Sequence, residues 1–330
     1  MAAIIALGTL LRVWLLARAS WMLDGDEATM ALVGRHIQLD DERPIYFPGQ
    51  AYMGPVQAYV AAVLFELFGM SRPVAKLVPL VSSAVWIGTT MLLARRVFDR
   101  RVAVLAGLFA AIPSLYLIST TLRLSYPLID VMALGNAVLL IAIDSVYRES
   151  LPRDWVRRCL LLGVIVGFAF WMHSAVAMYA APAALWLFLR FPRQSIFPGV
   201  PVALLGFVAG ALPVFNHARQ YDYTLFDYLR GSESDTAQQN YLKVANHLVE
   251  NLLPRYLGVS VPWQDAPLLL QVMVAVPTVL AIAYVVILHW RAPFRMVRVS
   301  AVGRWWQRIA IRPQEAHPVV VVLVFGAVVL

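Results

Sequence analysis

The sequence contains few charged residues. Only 14% of its 330 residues are charged, whereas 61% are hydrophobic and the mean hydropathy is +0.70. Soluble globular domains carry about 25% charged residues. This composition excludes a soluble enzyme or a soluble binding module. It predicts a membrane protein with several bilayer-spanning segments.

Lysine and cysteine are also scarce. The lysines are Lys76 and Lys243, so arginine carries almost all of the positive charge behind the isoelectric point of about 9.8. The arginines gather in short segments between apolar runs. This placement is typical of the loops of membrane proteins, so we expect no nucleic-acid partner. The single cysteine, Cys159, excludes an intramolecular disulfide.

Strand patterns and nucleotide-binding motifs are absent from the sequence. No segment shows the alternation of a half-buried strand, and no glycine-rich phosphate loop follows a strand pattern. The apolar runs instead approach the ~20 residues that a bilayer-spanning helix needs. The predicted fold class is therefore all-α, a polytopic transmembrane helix bundle.

Eight apolar runs are predicted to span the bilayer. They are Ala2–Met22, Val74–Ala94, Val102–Ser119, Leu128–Val146, Cys159–His173, Ala175–Arg190, Pro198–Phe215 and Ala266–Leu288. The stretch Cys159–Arg190 is short for two crossings, and both a tight hairpin with His173 at its outer tip and one long tilted helix fit it. The last run, Pro318–Leu330, reaches about 20 Å against a hydrocarbon core of about 30 Å. We therefore expect a truncated product of a longer gene, folded as one transmembrane domain over residues 1–330.

The basic residues predict the orientation. If the N-terminus is cytoplasmic and the spans alternate, sixteen arginines lie on the cytoplasmic side and nine basic residues on the other side. The chain is then a multi-pass protein of the cell (inner or plasma) membrane, with long extracytoplasmic loops at residues 23–73 and 216–265. Each loop contains a stretch, Tyr52–Phe68 or Tyr241–Leu257, that we expect to lie as a helix along the outer membrane surface.

Three carboxylates directly follow the first predicted span, in the stretch Asp24-Gly25-Asp26-Glu27-Ala28. The next helical segment has an apolar side formed by Met30, Ala31, Val33, Gly34 and Ile37. Asp24 and Glu27 have the spacing of a capping box, which makes a helix cap one interpretation of the cluster. A cap leaves Asp26 unexplained. The other interpretation is a carboxylate site for catalysis, or for a divalent metal ion held by Asp26 and Glu27.

Further polar residues are predicted on the outward side near the membrane surface. They are Arg123, Asp130, His173, Asn216, His217, Arg219 and Arg255. Carboxylates, histidines and arginines on one face suit general-base chemistry on a phosphate-bearing substrate. Structural interpretations also stand, with Arg123 as a snorkelling side chain, His173 as a packed histidine and Asp130 as a helix cap.

Six short motifs follow one another in an order found in a known family. They are Asp26-Glu27-Ala28, Gly49-Gln-Ala-Tyr-Met-Gly-Pro55, Phe68-Gly69-Met-Ser71, Ala94-Arg-Arg-Val-Phe98, Tyr126 with Asp130, and Gly210-Ala-Leu-Pro213 with Asn216. From Leu11 to about Leu257 the chain resembles the membrane glycosyltransferases of the GT-C class. Within that class it resembles the family 39-like group of protein O-mannosyltransferases and aminoarabinose transferases. It departs from them at Tyr52-Met53-Gly54, where those enzymes carry a charged residue before their prolines.

The resemblance implies a GT-C-type bundle with outward-facing interfacial helices and a sugar-transfer activity. The donor is expected to be a polyprenyl-phosphate-linked sugar, and the acceptor an extracytoplasmic lipid, glycan or protein, with membrane lipids as surroundings. Asp26 is expected to be the catalytic base beside Glu27, with inversion at the anomeric carbon. The expected donor-phosphate or substrate ligands are Gln50, Tyr52, Arg123, Tyr126, Asp130, His173, Asn216, Arg219 and Arg255. No organic cofactor is expected, and a divalent metal ion stays open.

The lengths of the predicted cytoplasmic loops also agree with a lipid-linked donor. A nucleotide-sugar donor requires a folded nucleotide-binding domain of well over about 100 residues. No predicted cytoplasmic loop approaches that length. Two other functions remain open: a transporter or flippase for a lipid-linked or anionic solute, and a non-catalytic truncated subunit. A transporter usually has ionisable residues at mid-membrane and paired halves, and the sequence displays neither pattern.

Overall fold

The computed structural model describes residues 1–220, except residues 51 and 149. Several predicted features lie outside the described residues. These are the span Ala266–Leu288, the run Pro318–Leu330, the interfacial helix Tyr241–Leu257 and the candidate ligand Arg255.

The described chain is all-α, as predicted. Its helices are α1 (Ala2–Arg18), α2 (Gly25–Asp40), α3 (Val56–Phe68), α4 (Arg72–Val97), α5 (Arg100–Ala111), α6 (Leu115–Thr121), α7 (Leu128–Val146), α8 (Trp155–Met172), α9 (Ala177–Arg190), α10 (Pro192–Gln194), α11 (Val200–Gly210) and α12 (Leu212–Gln220). A 3-10 turn, Ser174–Val176, precedes α9, and a π turn, Ser195–Gly199, precedes α11. Within residues 1–220 no strand forms.

Three helices of the described part are long and apolar enough to cross a membrane: α4, α7 and α8. They correspond to the predicted spans Val74–Ala94, Leu128–Val146 and Cys159–His173. A fourth span is counted when the bent pair Pro192–Gly210 and Leu212–Ala218 is taken as one. The protein is therefore a multi-spanning membrane protein, and the side that each helix end faces stays a prediction.

The predicted span Val102–Ser119 is not one helix. It is divided between α5 and α6 by a short break that contains Pro113. Proline has no N–H to donate, and its ring clashes with the preceding turn of a helix. Ser114 then starts α6, because its Oγ accepts a hydrogen bond from the N–H of Leu117 at 3.3 Å. The break therefore has a local cause on both of its sides.

A buried arginine in α1 forms hydrogen bonds to the carbonyl groups at the end of α5. The Arg12 guanidinium donates to the carbonyl oxygens of Ala110 (3.2 Å) and Ala111 (3.0 Å), and it lies 3.5 Å from the Thr121 hydroxyl. The carbonyls at the end of a helix have no partner within the helix, and water cannot satisfy them in an apolar interior. The close approach needs Gly8, where a Cβ would lie 3.0 Å from the Ala111 backbone.

The described residues divide into two compact units. Unit 1 comprises residues 1–88, 107–129 and 213–220, and unit 2 comprises residues 89–106 and 130–212. In unit 1 the predicted apolar side of α2 is confirmed, because Met30 and Val33 are buried in a cluster with Ala58, Ala61 and Phe65 of α3. This packing holds the start of α2, where the carboxylates lie, against the rest of the unit.

In unit 2, α8 and α11 are in direct backbone contact. Four glycines permit this approach, because a Cβ at each would lie 2.0–2.4 Å from a carbonyl oxygen of the other helix. They are Gly163 and Gly167 on α8, and Gly206 and Gly210 on α11. Each pair has the small-residue spacing that is common between membrane helices. A hydrophobic cluster in this unit buries Ile143 and Trp186.

We expect Gly163→Ala and Gly206→Ala to lower the free energy of unfolding by about 1–3 kcal/mol, because the added methyl overfills the contact. The matched control is Gly88→Ala, since the nearest atom to a Cβ there is Ile5 Cδ1 at 3.5 Å. The control should be neutral or slightly stabilising, because alanine favours helix over glycine by about 1 kcal/mol. Thermal unfolding in lipid nanodiscs measures all three variants, and equal melting temperatures would contradict the packing.

Candidate active site

The acidic stretch of unit 1 begins α2 with a complete capping box. The Asp24 carboxylate accepts a hydrogen bond from the N–H of Glu27 at 2.9 Å, and the Glu27 carboxylate accepts one from the N–H of Asp24 at 3.0 Å. Two otherwise unpaired N–H groups of the helix start are thereby satisfied. The structural interpretation of the cluster is therefore right for Asp24 and Glu27.

Glu27 also makes a second set of contacts. Its residue is 3% exposed, and its Oε1 accepts from the Lys76 ammonium and from the N–H of Leu124 at 2.9 Å. Lys76 is 4% exposed and donates in addition to the carbonyl oxygen of Leu122 at 3.1 Å. Buried charges need both a partner and further hydrogen bonds. This ion pair has both.

Arg123 lies in the turn between those two backbone contacts. Its Nη2 is 2.7 Å from Asp24 Oδ2 and 3.4 Å from Asp26 Oδ2. Asp24 thus uses one oxygen for the cap and the other for the guanidinium. The Arg123 Nε is buried and has no hydrogen-bond partner among the described residues. The arginine therefore has donor capacity that the site itself does not use.

The three carboxylates differ in how many of their oxygen atoms already have a hydrogen-bond partner. Both oxygens of Asp24 and of Glu27 are occupied, whereas the Asp26 side chain is 61% exposed and has only its 3.4 Å contact to Arg123 in the described structure. Among the described residues, three carboxylates face two cations here, Lys76 and Arg123, so the carboxylates outnumber the cations by one. Asp26 is therefore the most exposed of the three carboxylates.

Tyr126 belongs to the same neighbourhood of unit 1. Burial raises the pKa of Tyr126, Tyr116 adds to the rise, and Arg123 opposes it. The phenol therefore keeps its proton near neutral pH and can donate a hydrogen bond.

Gln50 and Tyr52 lie in a tight turn before α3. The turn is closed by hydrogen bonds from the N–H of Phe47 to the carbonyl of Met53 (2.8 Å) and from the N–H of Gln50 to the carbonyl of Phe47 (2.9 Å). Gly49 allows it, because its φ of +77° is a conformation that other residues rarely adopt. Tyr52 packs against the core of unit 1. Their contact with a substrate stays a prediction.

Two further candidates, Asp130 and His173, lie at helix ends of unit 2. Asp130 lies in the first turn of α7, where its charge suits the helix dipole. His173 has an extended backbone and separates α8 from the following 3-10 turn. Its Nδ1 accepts a hydrogen bond from the N–H of Ala175 at 3.1 Å. Both residues belong to unit 2, and the His173 contact agrees with its structural interpretation.

The last two candidates lie on α12. Asn216 is exposed and the backbone of Arg219 is helical, so residues 216–220, the first part of the predicted long loop, belong to a helix instead. Near them, His217 contacts the Tyr46 ring edge-on at 4.7 Å between centroids. The roles predicted for Asn216 and Arg219 stay predictions.

Metal binding receives no support from the described residues. Among them no group of three histidine, cysteine, aspartate or glutamate side chains converges closely enough to hold a metal ion. The Glu27 oxygens that were considered as metal ligands are occupied by Lys76 and by backbone N–H groups.

Lys76 is the residue of the cluster that sequence reasoning missed. It is one of two lysines in a chain whose other basic residues are arginines, and it stands in the first turns of a predicted span. A lysine there costs desolvation unless it has a partner. That rarity was the available signal, but its partner lies 49 residues away in sequence.

Comparison with known proteins gives one family. The model described as dolichyl-phosphate-mannose-protein mannosyltransferase matches residues 52–217, half of the chain. The match includes Lys76, Arg123 and Tyr126, and it begins after the acidic stretch at the start of α2. No curated protein and no solved structure matches the chain.

Two substitutions at Asp24 distinguish the stability that comes from the helix cap from the stability that comes from the ion pair with Arg123. Asp24→Ala removes both contacts and should lower the free energy of unfolding by about 0.5–2 kcal/mol. Asp24→Asn loses the charge but keeps a good capping group, so it should retain most of that stability. Thermal unfolding in lipid nanodiscs compares the two. If both variants melt alike and well below the wild type, the ion pair outweighs the cap.

Proposed function

Because the chain belongs to the dolichyl-phosphate-mannose-protein mannosyltransferase family, and is therefore a membrane glycosyltransferase of the GT-C type, we propose that its donor is a polyprenyl-phosphate-linked sugar. The acceptor that we propose is a lipid, glycan or protein outside the cytoplasm. The start of α2 then faces the extracytoplasmic side of the cell membrane, as the excess of arginines on the other side predicts.

The observation that carries the proposal is the available carboxylate of Asp26. Its neighbours Asp24 and Glu27 are committed to the cap and to the buried pair, whereas Asp26 is exposed at the end of a helix that the core of unit 1 holds in place. A general base must be positioned by rigid surroundings and must also be accessible to the proton that it removes. Asp26 meets both requirements.

The phosphate of the donor is assigned to Arg123. A guanidinium donates two parallel hydrogen bonds to a phosphate, which a single ammonium cannot do. The Arg123 side chain is 43% exposed, so a phosphate can reach its guanidinium from solvent. Its contacts to Asp24 and Asp26 are partly solvent-exposed ion pairs, which typically contribute only about 0–1 kcal/mol, so a phosphate can compete for the guanidinium.

The chemical step follows from these two assignments. The acceptor hydroxyl gives its proton to the Asp26 carboxylate while its oxygen forms a bond to the anomeric carbon of the sugar. The bond between that carbon and the phosphate oxygen breaks, and the phosphate leaves with the electron pair, stabilised by Arg123. A single displacement inverts the configuration at the anomeric carbon. Tyr126 is assigned a hydrogen bond to the sugar or the phosphate.

The test replaces the base without disturbing the fold. Asp26→Asn should melt like the wild type, because Asp26 takes no part in the capping box, whereas transfer should fall about 10²–10⁴-fold. Turnover is measured on the full-length protein in lipid, with dolichyl-phosphate mannose as donor probe and extracted cell-envelope material as acceptor.

The matched control is Asp41→Asn. Asp41 is also an exposed aspartate beside α2, and it also contacts an arginine, Arg43, at 3.1 Å. The control should retain wild-type turnover. Unchanged turnover in Asp26→Asn would remove Asp26 from the chemistry and leave the acidic stretch as a helix cap.

A further inference from the structure

The turn that carries Arg123 is held by side chains on both of its sides. The carbonyl of Leu122 accepts from Lys76, and the N–H of Leu124 donates to Glu27. The peptide groups directly before and after Arg123 are thus each bonded to one member of a single buried ion pair. The guanidinium between them lies against Asp24.

We propose that Lys76, together with its partner Glu27, is the positioning residue of the active site. It sets the place of the Arg123 guanidinium relative to the Asp26 carboxylate without touching the substrate. The proposal rests on the proposed function for the consequence in transfer, but the geometry of the turn can be tested without it.

The pair matches the polarity of the backbone that it holds. Lys76 has only donors and meets a carbonyl oxygen, whereas Glu27 has only acceptors and meets an N–H. An ordinary ion pair tolerates exchange of its two members. Exchange at this pair would place a carboxylate against the Leu122 carbonyl and an ammonium against the Leu124 N–H, and both contacts would become repulsive.

Helix α4 provides a second contact from the same side. Ser83, seven residues after Lys76 and therefore on the same face of the helix, donates its hydroxyl to the carbonyl of Thr121 at 2.9 Å. Ser83 therefore holds the end of α6, and Lys76 holds the turn that follows. The two side chains give a comparison within one helix, because only Lys76 contacts the peptide next to Arg123.

A displaced guanidinium should weaken phosphate binding strongly, since misplacement of a binding group by about 1 Å can cost about 10²-fold in rate. The variants are Lys76→Met, the double variant Glu27→Gln with Lys76→Met, the exchange variant Glu27→Lys with Lys76→Glu, and the control Ser83→Ala. The double variant leaves no unpaired buried charge, so it is expected to fold when Lys76→Met alone does not.

Three readouts are taken on the full-length protein in lipid nanodiscs well below its melting temperature. They are the affinity for polyprenyl phosphate, the hydrogen-exchange rate of the Leu124 amide, and turnover with dolichyl-phosphate mannose. The double variant and the variant with Glu27→Lys and Lys76→Glu should both bind polyprenyl phosphate at least tenfold more weakly than the wild type. In both, the hydrogen-exchange rate of the Leu124 amide should be at least tenfold higher. Ser83→Ala should change the affinity by less than threefold.

The proposal is overturned if the double variant keeps the wild-type affinity for polyprenyl phosphate and the wild-type hydrogen-exchange rate of the Leu124 amide. It is also overturned if the variant with Glu27→Lys and Lys76→Glu keeps both wild-type values. A role in stability alone would lower the melting temperature and leave the affinity unchanged, which also overturns it. If the wild type neither binds polyprenyl phosphate nor transfers a sugar, the proposed function fails. The exchange rate of the Leu124 amide still decides whether Lys76 positions the turn.

Discussion

The site depends on one charged pair that is removed from water. Glu27 and Lys76 are almost fully buried and bind each other. Glu27 also accepts from the N–H groups of Asp24 and Leu124, and Lys76 also donates to the carbonyl oxygen of Leu122. Removing one member of such a pair typically costs about 3–5 kcal/mol, because the other charge is left buried. The pair therefore ties together the start of α2, the first turns of α4 and the turn after α6. Arg123 and Asp26 owe their places to it.

The same constraint governs the apolar parts of the molecule, where every backbone group needs a partner. The break at Pro113 exposes the end of α5, and the Arg12 guanidinium satisfies the carbonyls of Ala110 and Ala111. In both places a buried cation holds backbone carbonyls at an interrupted helix. Buried basic residues in unit 1 thus satisfy backbone carbonyls where helices end, and one of these helix ends is followed by Arg123.

Local patterns were predictable from the sequence, and long-range pairings were not. Hydrophobic runs predicted α4, α7 and α8, and the spacing of Asp24 and Glu27 predicted the capping box, because each depends on residues within a few positions. The Glu27–Lys76 pair joins residues 49 positions apart, so no local rule finds it. The contact of Gly163 with α11 is likewise set by a partner helix. The order of family motifs indicated the activity, and the family match agrees with it.

The most direct test is a structure of the full-length protein with polyprenyl phosphate bound in a lipid nanodisc. We expect the phosphate within about 3 Å of the Arg123 guanidinium, with the Asp26 carboxylate facing the adjacent space and the Glu27–Lys76 pair intact. A phosphate bound near the membrane midplane, with Arg123 still on Asp24, would contradict it and would instead favour a transporter.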